Sequence, residues 1–210
     1  MNLWMEPLGP LQTNGYVLSN DQKQGIIIDP GMNPEAMVEH VQDLDIKAIL
    51  LTHAHFDHIA GLEHVRQQTG APVYIHNLEQ KWLTDPDLNG SSRWSMVTEP
   101  VICQPRDQGL EDGQALTIAG IDMKVMHTPG HSPGSVSFYI EQENLVIAGD
   151  TLFSGSIGRT DLPGGDHVKL LNSIRAYILT LPEETIVYPG HGPQTTVGQE
   201  KAMNPFLNER

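Results

Sequence analysis

Short apolar runs recur along this chain, and most of them end abruptly at Asp, Gly, Pro or His. Leu3 to Leu8, Gly15 to Ser19 and Gly25 to Asp29 read as strands, separated by turn residues such as Asn20-Asp21. Asn33-Pro34 is expected to open a helix, with Asn as the cap and Pro in the first position, and Met37, Val38, Val41 and Leu44 keep helical spacing. Lys47 to Leu51 predicts a buried strand, Ile59 to Gln68 a helix closed by Gly70, and Val73 to His76 a further strand. Residues 84–108, rich in Pro, Asp, Asn and Ser, read mostly as loop. Gln114 to Ile118 and Ile121 to His127 form a hairpin pattern turned at Ala119-Gly120. Val136, Phe138 and Ile140 alternate with Ser137 and Tyr139, the period of a half-buried strand. Leu145 to Ala148 and Thr185 to Tyr188 are short apolar strands, while His167 to Leu179 and Val197 to Met203 have helical patterns. Interleaved strands and helices make this an α/β chain. No linker, charge block or repeat divides it, so one domain over residues 1–210 is expected.

Composition narrows the function classes. The 26 acidic and 12 basic residues give a formal charge of −14, and no cluster of Lys and Arg is present to grip a phosphate backbone. A nucleic-acid partner is disfavoured. No stretch approaches the ~20 apolar residues of a membrane span, and the N-terminus lacks the pattern of a signal peptide. Cys103 is the only cysteine, which excludes an intrachain disulfide. A cytoplasmic protein with a small-molecule partner is the expectation.

The chemistry concentrates in Thr52-His53-Ala54-His55-Phe56-Asp57-His58, directly after a buried strand. Imidazole and carboxylate at this density suit zinc, iron or manganese. With 10 His in 210 residues, three chosen positions are all His by chance about once in ten thousand, or roughly two in a hundred over a whole scan. Three further strand ends repeat the theme: Met123 to Met126 runs into His127-Thr128-Pro129-Gly130-His131, Leu145 to Ala148 into Gly149-Asp150, and Thr185 to Tyr188 into Pro189-Gly190-His191. Strand ends are where open α/β folds gather ligands. Residues 53 and 55 of an extended segment point to the same side, so both reach one ion, whereas adjacent Asp57 and His58 point apart unless the chain turns.

The ordered set His53-x-His55-x-Asp57-His58, His131, Asp150 and His191 resembles the metallo-β-lactamase superfamily of hydrolases. It is closest to the glyoxalase II-like branch, through His127-Thr128-Pro129-Gly130-His131 and Gly149-Asp150-Thr151-Leu152-Phe153. The resemblance implies an αββα sandwich, two mixed β-sheets flanked by helices. It places His53, His55 and His131 on one divalent metal ion, Asp57, His58 and His191 on a second, and Asp150 on both. Zinc is the expected metal, with iron and manganese also suited to these ligands. The reaction it implies is hydrolysis of an S-acyl thioester by a metal-bridging hydroxide, with Asp57 orienting the nucleophile or taking its proton. A thiolate leaves without a dedicated acid, because a thiol of pKa ~8.5 is a good leaving group.

Other residues have plainer readings. His127 is expected to make a structural hydrogen bond, His40 and His64 to be solvated, and His76 and His167 to bind no metal. Cys103 reads as packing. Asp29 reads equally as a turn aspartate or, as the resemblance implies, as a group near the metal loops that fixes backbone or a ligand's second nitrogen. Arg159, nine residues past Asp150, stands where the resemblance puts a basic substrate contact; a salt bridge is the competing reading. The stretch after His191 has Lys201 and Arg210 as its only cations, and Gly192-Pro193 stand where the long glyoxalase II enzymes carry Tyr. Glutathione as the thiol is therefore less secure than the thioester. Gly158-Arg159-Thr160-Asp161 also resembles a mononuclear iron persulfide dioxygenase, the first alternative, and a non-catalytic metal-binding module is the second. A β-lactamase is disfavoured because Asp150 stands where many of those enzymes have Cys.

Overall fold

Ile- and Val-rich runs pair into two six-stranded mixed sheets in the computed structural model, which describes residues 1–208 and therefore leaves Arg210 outside. Contacts divide the chain into Met1–Leu110 with Thr117–Ile121, and Glu111–Leu116 with Asp122–Arg210. Each unit contributes its own core and its own set of candidate ligands.

In the first unit, β1 (Asn2–Leu8), β2 (Thr13–Ser19), β3 (Gln24–Ile28), β4 (Asp45–Leu50), β5 (Val73–His76) and β6 (Gln108–Leu110) lie in sequence order. The β1–β2 and β2–β3 pairs are antiparallel, as short turns allow, and the remaining pairs are parallel. Helices α1 (Glu35–Val41), α2 (Phe56–Ile59) and α3 (Leu62–Thr69) supply the crossovers. Met37, Val41, Leu62 and Val65 from α1 and α3 join Val17, Ile27 and Ile49 from the strands in one buried cluster.

Several local expectations are corrected. Asn33 does not cap α1: it is exposed with φ 51°, Pro34 occupies the cap position, and Leu44 lies beyond the helix end. The helix expected over Ile59 to Gln68 is broken between Ile59 and Leu62. Its cause is Gly61, where a Cβ would lie 3.0 Å from the carbonyl oxygens of both Pro30 and Gly31. The chain is pinned there by backbone bonds from Gly61 N to Gly31 O and from Gly31 N to His58 O. Gly70 closes α3 at φ 65°, as its left-handed freedom permits. The stretch read as loop is mostly loop, but it holds α4 (Pro86–Asn89) and a short 3₁₀ turn, Ser91–Arg93, and β6 begins at its end.

In the second unit the strands are β7 (Ala115–Ile118), β8 (Ile121–His127), β9 (Val136–Ile140) and β10 (Leu145–Gly149). A small hairpin, β11 (Leu152–Phe153) with β12 (Ser156–Ile157), precedes β13 (Ile186–Pro189) and β14 (Thr195–Thr196). The sheet order is β14-β13-β10-β9-β8-β7. Since β8 and β10 are each antiparallel to β9, and β13 is parallel to β10, the carboxyl ends of β8, β10 and β13 share one edge. Asp166 caps α5 (His167–Ser173) by accepting from Lys169 N at 2.9 Å. The helix then widens over Ile174–Ile178, where Leu179 N reaches back five residues to Ile174 O. Leu170, Ile174 and Ile178 pack with Val146, Ala148, Val187 and Val197, the last from α6 (Val197–Met203). No helix among the described residues is long and apolar enough to cross a membrane.

Two consequences are measurable. Gly130 has φ 133° and a Cβ there would lie 2.2 Å from Leu170 N, so Gly130→Ala is expected to cost about 2–3 kcal/mol in urea unfolding. Cys103 is buried and its Sγ lies 3.6 Å from Ile59 O; burial first, then the nearby Glu63 charge, pushes the thiol up to about 12. The native chain then holds that proton while the unfolded chain releases it, so its contribution to stability falls as pH rises from roughly 9 toward 12. Alkylation at pH 8 is expected to be slow until denaturant is added, and rapid native labelling would contradict this placement.

Candidate metal centre

The ligand segment of the first unit leaves β4 extended and then turns into α2, with His55 at φ −67°, ψ 146° in the cap position. This change of backbone answers the question left by the sequence. His53 and His55 come off extended chain, Asp57 and His58 off a helical turn. Their rings are close: the His53 centroid lies 4.8 Å from that of His55 and 4.1 Å from that of His58. The ligand atoms of His53 fall within 4.8 Å of those of both neighbours, as do those of Asp57 and His58 of each other. All four residues are buried.

Asp29 sets the protonation pattern of this group. It follows β3, has φ 50°, and its backbone N donates to Leu50 O on the neighbouring strand. Its Oδ1 accepts from Thr52 N at 2.8 Å, and its Oδ2 accepts from Thr52 Oγ1 at 2.6 Å and lies 2.9 Å from His58 Nδ1. A carboxylate only accepts, so His58 carries its proton on Nδ1. Thr52 has one hydroxyl proton and gives it to Asp29. Its oxygen therefore accepts from His53 Nδ1, 3.1 Å away, which puts the His53 proton on Nδ1 as well. Both imidazoles are left with the Nε2 lone pair, the form that binds a cation. Asp29 thus fixes the Thr52 backbone and the second nitrogen of His58.

Asp57 is held separately, by a 2.7 Å bond from Thr13 Oγ1 on β2 to its Oδ2. Thr13, Thr52 and Glu79, whose Oε2 accepts from Ala54 N at 3.1 Å, were not singled out by sequence. Thr52 abuts the His-rich run, which was the one signal available; Thr13 and Glu79 come from distant strands and turns and carried none.

The second unit assembles His131, Asp150 and His191 at the shared edge of β8, β10 and β13. Asp150 Oδ2 lies 3.4 Å from His131 Nε2 and 3.6 Å from His191 Nε2, so one carboxylate oxygen is flanked by two imidazole nitrogens. His131 Nδ1 donates to the Arg159 carbonyl at 2.8 Å, which again leaves Nε2 as the lone-pair nitrogen. Gly158 makes this return of the chain possible, since a Cβ there would sit 1.8 Å from Asp150 O.

Arg159 is where the salt-bridge reading holds. Its guanidinium forks onto Asp161, at 2.8 and 2.7 Å, and both side chains are more than half exposed. The pairing, mainly the hydrogen bond from Arg159, holds the Asp161 carboxyl down at about 2. The other histidines make local contacts or face solvent. His127 Nε2 lies 2.9 Å from Pro133 O, His64 and His167 are exposed, and exposed His40 stacks on Trp4 at 4.6 Å. His76 Nδ1 accepts from Leu78 N, so it caps a turn.

The electrostatics fit a cation. Asp29, Asp57 and Glu79 are buried in the first unit and Asp150 and Glu200 in the second, while no Lys or Arg is buried among the described residues. Buried carboxylates without a matching charge are costly, and a divalent ion is the partner that imidazole Nε2 atoms and carboxylates share. The buried atoms His55 Nε2, His58 Nε2 and Asp150 Oδ1 make no protein hydrogen bond, as coordinating atoms would.

A family model described as the metallo-beta-lactamase superfamily matches residues 8–191. A curated relative, the probable metallo-hydrolase YqgX of Bacillus subtilis, is 47% identical, covering 96% of this chain and 95% of its own. The hydroxyacylglutathione hydrolase GloC of Haemophilus influenzae is 35% identical over the whole of both chains. Among solved structures, the B3 metallo-beta-lactamase BLEG-1 is 52% identical with a TM-score of 0.95, covering 99% of this chain and 100% of that one. TTHA1623 in a di-iron-bound form is 42% identical with a TM-score of 0.86, covering 97% and 100%.

The tautomer relay generates a graded prediction. Asp29→Ala removes the acceptor behind both His53 and His58, and is expected to weaken zinc binding by roughly 10–100-fold. Thr52→Val interrupts only the branch to His53 and should give the smaller loss, while Thr52→Ser should retain wild-type affinity. Competition against a chelating dye ranks the three variants.

Proposed function

The chain belongs to the metallo-beta-lactamase superfamily, and on that footing we propose that it is a metal-dependent hydrolase acting on S-acyl thioesters. The observation that carries the metal reading is the pair of His and Asp sets, buried except for half-buried His191, in which no buried Lys or Arg among the described residues offsets the carboxylates. By the family resemblance, His53, His55 and His131 would hold one ion, Asp57, His58 and His191 a second, and Asp150 would serve both. The ligands accept zinc, iron or manganese, and the di-iron form of TTHA1623 keeps the choice of metal open.

When bound, two divalent cations would lower the pKa of a water and offer Lewis-acid stabilisation to a developing oxyanion. The chain's own groups do the positioning. Asp57, anchored at Oδ2 by Thr13, would orient the nucleophile and take up its proton. The departing thiolate needs no acid at pH 7, whereas an amine would. The thioester reading draws further support from the hydroxyacylglutathione hydrolase relative. Arg159 supplies a carboxylate contact only by exchanging Asp161, a swap that costs little because an exposed, solvent-screened ion pair contributes little.

The test is a purified, zinc-loaded chain offered the lactoyl thioester of glutathione, a neutral S-acyl cysteamine, a β-lactam and a persulfide under oxygen monitoring. Thioester turnover is expected, with Asp57→Asn lowering kcat by at least roughly 100-fold. Metal-loaded protein inert to every thioester overturns the proposal. One iron per chain with oxygen consumption would establish the persulfide dioxygenase reading instead, and β-lactam turnover alone would align the chain with BLEG-1.

A further inference from the structure

Glu79 is wholly buried, lies in the 3₁₀ turn Asn77–Thr84, and is not among the residues expected to bind metal. Its Oε2 accepts from the backbone N of Ala54, the residue between His53 and His55. Trp82 lies three residues further along the same turn, and its ring is 5.5 Å from that of His55. Side chains at i and i+3 of a 3₁₀ helix eclipse one another, so Glu79 and Trp82 face the ligand segment together. The far side of the turn is braced by Asn89, whose Nδ2 donates to Trp82 O at 3.0 Å and to Val101 O at 2.9 Å.

We propose that Glu79 is a positioning residue for the ion held by His53 and His55, acting through the Ala54 peptide and through its own negative charge. The inference rests on the reading that these two histidines share an ion. Imidazoles at i and i+2 of an extended segment converge only for a narrow range of dihedrals at the residue between them. A charge-assisted bond to that residue's N–H fixes its peptide plane, and with it the directions in which the flanking Cα–Cβ bonds of His53 and His55 leave the chain. A buried anion at the back of the ligands also favours a cation at their front.

The experiment compares Glu79→Gln and Glu79→Ala with wild type as full chains, stripped and titrated with zinc against a chelating dye. Cobalt(II) absorption reads the coordination geometry. Circular dichroism of the metal-free proteins reports folding. Glu79→Ala is expected to weaken one of the two ions by roughly 10–100-fold and to alter the cobalt spectrum. Glu79→Gln, which keeps an acceptor but not the charge, should fall between it and wild type. If Glu79→Ala does not fold, Glu79→Gln carries the test, and wild-type affinity and spectrum in it overturn the proposal. Wild-type chain that binds two zinc ions while both variants match it also removes this inference alone. Wild-type chain that binds no metal removes the two-metal reading and this inference with it.

Discussion

One buried carboxylate organises the first ligand set. Asp29 gathers a backbone N–H, a hydroxyl and an imidazole N–H, and because Thr52 has a single proton to give, that one acceptor determines the state of two histidines. Its position depends on chain geometry as much as on charge. Asp29 occupies the left-handed region at φ 50°, a conformation that Asp tolerates better than most residues, and it stands at the carboxyl end of β3 beside the strand that leads to the ligands. The parallel pairing of β3 with β4 is what brings residues 29 and 52 together. Without that register the His-rich run would be a string of polar residues with undetermined tautomers.

The second set solves the same problem with different chemistry. His131 is oriented by a neutral peptide carbonyl, that of Arg159, and the loop reaches it only because Gly158 has no side chain. A carboxylate makes its imidazole more electron-rich than a carbonyl does, so the two units present ligands of unequal donor strength. Buried Glu200 gives a useful contrast in this unit. It accepts from Thr195 Oγ1, Asn204 Nδ2 and Gly155 N, a neutral cradle that satisfies a carboxylate without imidazole. Among the described residues, buried acids thus include Asp29, held by Thr52 and His58, and Glu200, which ties the β11–β12 hairpin to α6.

Legibility in the sequence followed the range of the interaction. The strands before each ligand cluster were readable because alternation and apolar runs are local, and the seven candidate ligands were readable because they sit at the ends of those strands. The break between α2 and α3 was not, since it comes from Gly61 meeting the carbonyls of Pro30 and Gly31, a contact across the fold. Strand β6, the tripeptide Gln108–Leu110, is too short to show a period. Thr13 and Glu79 were invisible for the same reason: each acts on a partner more than 20 residues away, through one hydrogen bond that leaves no mark on local composition. Asp29 lay between these cases, with its location legible and its partners not.

Position 159 illustrates how a backbone contact separates two kinds of variation. The His131 imidazole is held by the peptide carbonyl there, so every amino acid offers it the same acceptor, and the side chain is released from that duty. Replacements at 159 therefore alter the charge presented at the mouth of this ligand set while leaving the imidazole behind it in place. Variation of charge at this position is thereby uncoupled from the orientation of the imidazole.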